Sequence, residues 1–141
     1  MDGDISGLDI SAAGLVAQRV RLNVVAENLA NAETTRSADG GPYRRKLTVF
    51  GAEPVGTFDQ ALAAEASTVK VVGIQESDDA PRQIYQPSHP DANSEGYVLL
   101  PNINPVLEMV DLLAATRAYE ANVTAVQAAK SMANKALEIG R

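Results

Sequence analysis

Apolar residues recur along this chain with a helical period at each end and a shorter period between. From Ile5 to Asn31, Leu8, Leu15, Leu22 and Leu29 stand seven apart. Ala12 and Ala26 lie four residues after Leu8 and Leu22, and Val25 lies three after Leu22. This is a heptad seam, and no proline interrupts it. Gly14 is its weak point, costing about 1 kcal/mol against alanine in a helix interior. Val16, Val20, Val24, Ala13, Ala17 and Ala30 lie off the seam, so the helix is apolar around much of its circumference and is expected to be buried on several sides.

From Thr35 to Pro101 glycine and proline cut the chain into short pieces: Gly40-Gly41-Pro42, Pro54, Gly56, Pro81, Pro87, Pro90 and Gly96. Between them the runs Tyr43–Phe50, Val69–Ile74, Gln83–Tyr85 and Tyr97–Leu100 predict strands. Phe58–Ala66 predicts a short helix, and Gln86–Gly96 a loop.

Helix returns from Asn104 to Ile139. Asn104 suits the cap, Pro105 the first helical position and Glu108 the first turn, and Gly140 supplies the stop. Met109, Thr116, Val123, Lys130 and Leu137 form one seven-residue series, and Leu112, Tyr119, Val126 and Ala133 a second. At 1.5 Å per residue the helix is a rod of roughly 50 Å.

The simplest arrangement is an α+β fold. Long N- and C-terminal helices (residues 1–34 and 102–141) pair as a coiled-coil-like hairpin, and a small β-rich central domain (35–101) is inserted at one end. One helix pair buries one seam. Val16, Val20 and Val24 on the first helix, and Val106, Val110 and Leu113 on the second, then lack a partner, which predicts an interaction surface.

Composition narrows the function. The 141 residues carry 18 acidic and 12 basic side chains, a net charge of −6, which disfavours broad nucleic-acid binding. There is no apolar run of the roughly 18 residues that a membrane span needs, and the first residues, MDGDISG, are acidic where a secretory signal would be basic. Cysteine is absent, which removes disulfides, thiolate metal sites and cysteine nucleophiles. Aromatic residues make up 4%, so the apolar total rests on Ala, Val and Leu, which suit closely packed helices.

Little in the chain suggests catalysis. His89, the single histidine, sits in a loop with no nucleophile or orienting partner at a telling spacing. Glu76, Asp78 and Asp79 lack the spacing of a calcium loop and read as a solvated turn. Arg44-Arg45-Lys46 reads as a solvated strand face or, functionally, as a salt-bridge patch between subunits. No cofactor, metal or enzymatic activity is expected. Asn28-Leu29-Ala30-Asn31 is more specific. Its two asparagines share one helix face near the C-terminal end, either as ordinary termination or as a polar latch that fixes register in an apolar interface. Tyr119 and Asn122 raise the same choice.

The segment Arg21–Arg45, RLNVVAENLANAETTRSADGGPYRR, resembles the N-terminal signature of bacterial flagellar basal-body rod proteins, centred on Asn28, Leu29, Ala30, Asn31 and Thr34. Glycine often follows two residues after that threonine in rod, hook and hook-associated proteins; Arg36 stands there, which is similar to the proximal-rod branch. Pro87–Val98, Pro101-Asn102, Glu108–Asp111 and Arg117–Asn122 are similar to the same branch, so the resemblance spans nearly the whole chain.

The resemblance implies a structural subunit of the proximal rod, with terminal helices lining the inner wall of a tubular assembly that transmits torque across the periplasm. It implies copies of itself and other rod proteins as partners, and export by the flagellar type III apparatus without a cleaved signal peptide. Nucleic-acid binding and membrane insertion are not expected. The assembly interface is expected to include Leu8, Leu15, Leu22, Asn28, Leu29, Ala30, Asn31, Thr34, Met109, Leu112, Tyr119, Asn122, Val123 and Val126. Competing readings are another axial protein of the rod and hook family, an adaptor that dimerises through its helices, and a small periplasmic enzyme.

Overall fold

In the computed structural model, residues 2–38, 40–54 and 67–140 are described, with side chains from Gly7 onward. The order is α1 (Asp2–Ala30), β1 (Lys46–Pro54), β2 (Ser67–Glu76), β3 (Arg82–Tyr85), β4 (Tyr97–Leu100) and α2 (Pro105–Ile139). This is an α+β chain. The short helix expected over 58–66 lies outside the described residues.

Helix α2 begins as its sequence dictates. The Asn104 side-chain oxygen accepts the Val106 N–H at 3.0 Å, Pro105 occupies the first turn, and Glu108 follows. The helix stops at Gly140, whose N–H bonds the Ala136 carbonyl. Gly140 has φ −82°, so it ends the helix without the left-handed conformation that glycine favours.

The strands form two antiparallel pairs. β1 pairs with β2 from Lys46↔Glu76 to Pro54↔Ser67, with a register shift between Val49 and Phe50. β3 pairs with β4 from Arg82↔Leu100 to Tyr85↔Tyr97. The last pair brings the two tyrosine rings edge to face at 5.4 Å. β4 alternates strictly: Val98 and Leu100 are buried, Tyr97 and Leu99 exposed. The expected strand start at Tyr43 is three residues early, because Tyr43–Arg45 run as irregular chain before β1.

Two stretches of α1 have different neighbours. Ala13, Val16, Ala17 and Val20 line an apolar groove whose opposite wall is Val69 and Val71 of β2. Val24, expected to be unpartnered, is in fact 4% exposed, whereas Val16 is 64% exposed. On α2, Val106, Val110 and Leu113 are exposed as expected.

Contacts between the helices run in opposite chain order: Gly14 meets Asn122, Arg21 meets Asp111, and Asn28 meets Glu108. The contact includes Gly14, Arg21, Val24, Val25 and Asn28 on α1, and Glu108, Asp111, the fully buried Ala115, and Asn122 on α2. Gly14, Arg21 and Asn28, and Glu108, Ala115 and Asn122, each repeat every seven residues, one residue before the predicted series Leu15, Leu22, Leu29 and Met109, Thr116, Val123. Val25 of the predicted α1 seam is buried, and the second α2 series, Leu112, Tyr119, Val126 and Ala133, is half-buried. The leucines sit half-buried at the edge of the contact and Met109 is exposed.

Gly14 explains part of this offset. A Cβ placed there would lie 2.8 Å from Asn122 Nδ2 and 3.0 Å from its Cγ. The missing side chain makes room for the Asn122 amide of α2. Gly14→Ala is expected to be nearly neutral, since the helix gain of about 1 kcal/mol offsets the crowding. Gly14→Val should destabilise by about 1–3 kcal/mol through overpacking, measured by urea unfolding.

Candidate functional site

The densest set of specific interactions lies where α1 ends, β1 begins and α2 starts. Its centre is Asn28, which is 1% exposed. Its Nδ2 donates to the Lys46 carbonyl at 2.8 Å and to Glu108 Oε2 at 3.2 Å. Its Oδ1 accepts the Lys46 N–H at 2.8 Å and the Tyr43 hydroxyl at 3.1 Å. An amide offers two donors and two acceptor sites, and all are used. Toward Lys46 the side chain behaves as a neighbouring strand would, taking both main-chain groups of the first residue of β1.

Glu108 is as buried as Asn28, and it is charge-paired. Arg45 Nε donates to Glu108 Oε1 at 2.6 Å. The pairing extends outward: the other end of the Arg45 guanidinium lies 3.8 Å from Asp111, which Arg21 meets at 3.1 Å. The chain Arg21–Asp111–Arg45–Glu108–Asn28 thus links α1, α2 and the segment before β1. Arg45 and Lys46, read from sequence as a solvated face or a patch between subunits, pair within the chain instead. Lys46 Nζ reaches Glu27 at 2.5 Å and sits 5.7 Å from the Tyr43 ring centroid, while Arg44 is exposed.

Asn31 and Thr34 have a separate task. Asn31 Nδ2 donates to the Glu27 carbonyl at 2.9 Å, satisfying one of the free carbonyls at the end of α1. The Thr34 hydroxyl donates to Asn31 Oδ1 at 3.1 Å, and the Thr34 carbonyl accepts the Tyr43 N–H at 3.1 Å. The loop between them turns at Gly40 and Gly41, with φ of +79° and +100°. The seven-residue motif therefore divides: Asn28 ties three elements together, and Asn31 with Thr34 shapes the exit from α1. Leu29 is half-buried and Ala30 exposed between them.

A second tie joins the connecting loops. The Thr35 hydroxyl donates to Asp91 Oδ2 at 2.8 Å, and Arg36 pairs with Asp91 Oδ1. The Thr35 hydrogen bond first, with the Arg36 charge, holds the Asp91 carboxyl below the usual aspartate range. His89 accepts the Asp91 N–H through Nδ1 at 3.1 Å, a local loop contact. Among the described residues, no three His, Asp or Glu side chains gather as a metal site, and no helix is long and apolar enough to cross a membrane.

Tyr43 carries a measurable signature of the node. Burial first, then the Glu27, Glu76 and Glu108 carboxylates, pushes its hydroxyl up to about 12 from an ordinary 10. The sign follows from linkage. The folded chain holds this proton more tightly than the unfolded chain, so the stabilisation is complete below the ordinary tyrosine value and drains away between there and about 12. In a phenolate absorbance titration, one of the four tyrosines is expected to ionise late, and Tyr43→Phe should remove that phase.

Of the other predicted site residues, Leu8, Leu15, Leu22, Leu112, Tyr119, Asn122, Val123 and Val126 are all half-buried along the two helices. Met109 is 55% exposed. Sequence reasoning missed Arg45, Glu108, Arg21 and Asp111 as a set. The available signal was Glu108 itself, a carboxylate inside an apolar stretch, opposite a basic run with no local partner.

Comparison with known proteins covers both halves of the node. A family model described as flagella basal body rod protein matches residues 8–36, which contain Asn28, Asn31 and Thr34. Another, described as flagellar basal body rod FlgEFG protein C-terminal, matches residues 94–139, which contain Glu108 and Asp111. The chain is 47% identical to the flagellar basal-body rod protein FlgC of Bacillus subtilis strain 168, over 95% of this chain and 96% of the relative. It is 44% identical to that of Aquifex aeolicus strain VF5, over 94% of each. It is 41% identical to that of Escherichia coli O6:H1, over 94% of this chain and 95% of the relative. With matches of this identity along nearly its whole length, the chain belongs to the FlgC family of flagellar basal-body rod proteins.

Proposed function

We propose that this chain is a structural, non-enzymatic subunit of the proximal rod of the bacterial flagellar basal body. Its terminal helices pair as a coiled-coil-like hairpin and build a tubular helical assembly with further copies and with other rod proteins. The β-rich unit over 35–101 lies outside that wall. The chain reaches the periplasm through the flagellar type III export apparatus and transmits torque once assembled.

The observation that carries this reading is the apolar surface left on the helices. Val106, Leu107, Met109, Val110 and Leu113 are each 55–66% exposed within the first turns of α2, and Val16 is 64% exposed on α1. A patch of that extent on a small chain marks an interaction surface. Leu8, Leu15, Leu22, Leu29, Leu112, Tyr119, Asn122, Val123 and Val126 are half-buried along the two helices and available to neighbours. Asn28, Asn31, Thr34 and Ala30 serve assembly by setting how α1 leaves the helix pair.

The test is a cryo-electron microscopy map of isolated basal bodies into which this chain is traced. The expected result is density for both helices on the inner wall of the proximal rod, in open head-to-tail contact. A closed dimer in solution together with absence from the rod would reject the reading in favour of an adaptor.

A further inference from the structure

We propose that the Arg45–Glu108–Asn28 network is a rotational selector, which decides which of two competing stripes on each terminal helix faces the other. The competition is visible in the chain itself. Gly14, Arg21 and Asn28 form one seven-residue stripe on α1, and Leu15, Leu22 and Leu29 form a second, one residue on. On α2, Glu108, Ala115 and Asn122 stand one residue before Met109, Thr116 and Val123. A one-residue step turns a helix by about 100°. The two settings therefore differ by a rotation, with no change in the spacing along the axis.

The other setting would bury a different apolar set. It would place three leucines against a methionine and a valine, where the observed setting buries Ala17, Val24, Val25 and Ala115 around a glycine, two asparagines, an arginine and a glutamate. A buried ion pair adds little net stability over well-packed apolar side chains, and its best-attested use is to specify register or pairing. The observed network has the features that use requires. Asn28 has every donor and acceptor filled, and Glu108 is bonded on both oxygens. Turning either helix by one residue would carry Glu108 away from Arg45 and leave the Lys46 main-chain groups without Asn28. Such half-satisfied polar groups exclude the alternative setting more strongly than they favour the native one. The leucine stripe is thereby kept at the edge of the intrachain contact. This inference concerns the isolated full-length chain and does not depend on the rod reading.

The chain lacks cysteine, so two spin labels can be placed without background. Arg19→Cys and Arg117→Cys put them on exposed positions of α1 and α2, outside the network. Electron–electron distance measurement on the labelled monomer is expected to give one narrow distance. In the same background, Asn28→Leu, Arg45→Met and Glu108→Leu together should keep helicity by circular dichroism but lose the single distance, which splits or broadens. Adding Leu15→Ser and Leu22→Ser to that triple variant should restore one distance by removing the competitor. A triple variant that stays helical with the native narrow distance overturns the proposal, as does a network-intact chain that already shows several distances. Should the triple variant lose its helices, Glu108→Gln decides, since it keeps shape and removes the charge. A second distance in folded Glu108→Gln supports the selector, and an unchanged narrow one overturns it.

Discussion

Replacing Arg45 by methionine is expected to destabilise the chain by about 3–5 kcal/mol, the range found when one partner of a buried ion pair is removed. The partner left behind decides the size. Glu108 is 1% exposed, so without Arg45 its carboxylate keeps only the Asn28 amide and has no water to replace the lost charge. Glu108→Leu removes the other end and should cost less. Arg45 has a 28% exposed side chain and retains Asp111 within 3.8 Å, so its charge can be met from outside. The order Arg45→Met worse than Glu108→Leu is therefore the diagnostic, measured as urea midpoints at constant slope. Equal losses, or the reverse order, would show that Glu108 finds solvent on losing its partner.

Val110→Asp and Leu113→Asp are expected to do the opposite: leave folding intact and abolish incorporation into the rod. Both side chains are more than half exposed in the single chain, so a carboxylate there remains solvated and stability should change by no more than about 0.5 kcal/mol. In an assembly that covers this face the same carboxylate becomes a buried unpaired charge, costing several kcal/mol at each contact. Thermal unfolding of the purified variants and soft-agar motility of cells carrying them separate the two effects. Motile cells with rods of normal occupancy would remove this face from the interface.

The helices were legible in the sequence because their signals are local. Asn104, Pro105 and Glu108 mark a helix start by themselves, and the stretch from Asp2 to Ala30 contains no proline. Strands β2 and β4 were legible for the same reason, from short apolar runs bounded by turn formers. The helix–helix contact was legible only in part: Val25 was readable as a seam residue and is buried, whereas Gly14, Arg21 and Glu108 were not readable as contact residues. Apolar periodicity finds the stripe that would bury the most hydrocarbon. The polar part of the contact is set by groups whose partners lie 63 to 90 residues away. Glu108 illustrates the limit. Its place in the first turn was readable as a favourable helix-terminus charge, but nothing near it in sequence announces Arg45. Likewise Asn28 and Asn31 look equivalent in the motif, and only the arrival of Lys46 and Glu108 at one of them separates their tasks.

The place where Asn28, Arg45 and Glu108 meet is also a fulcrum. It fastens the start of α2, and the 35 residues of that helix run away from it. Beyond Ala133 every described residue of α2 is exposed. A tilt of only about 5° at the fastened end would carry the far end of a rod of roughly 50 Å through about 4 Å, close to the width of a side chain. Angular error at one end of this lever is thus magnified at Ile139. A joint made of short, directional bonds limits that error in a way that a greasy seam, free to roll, does not.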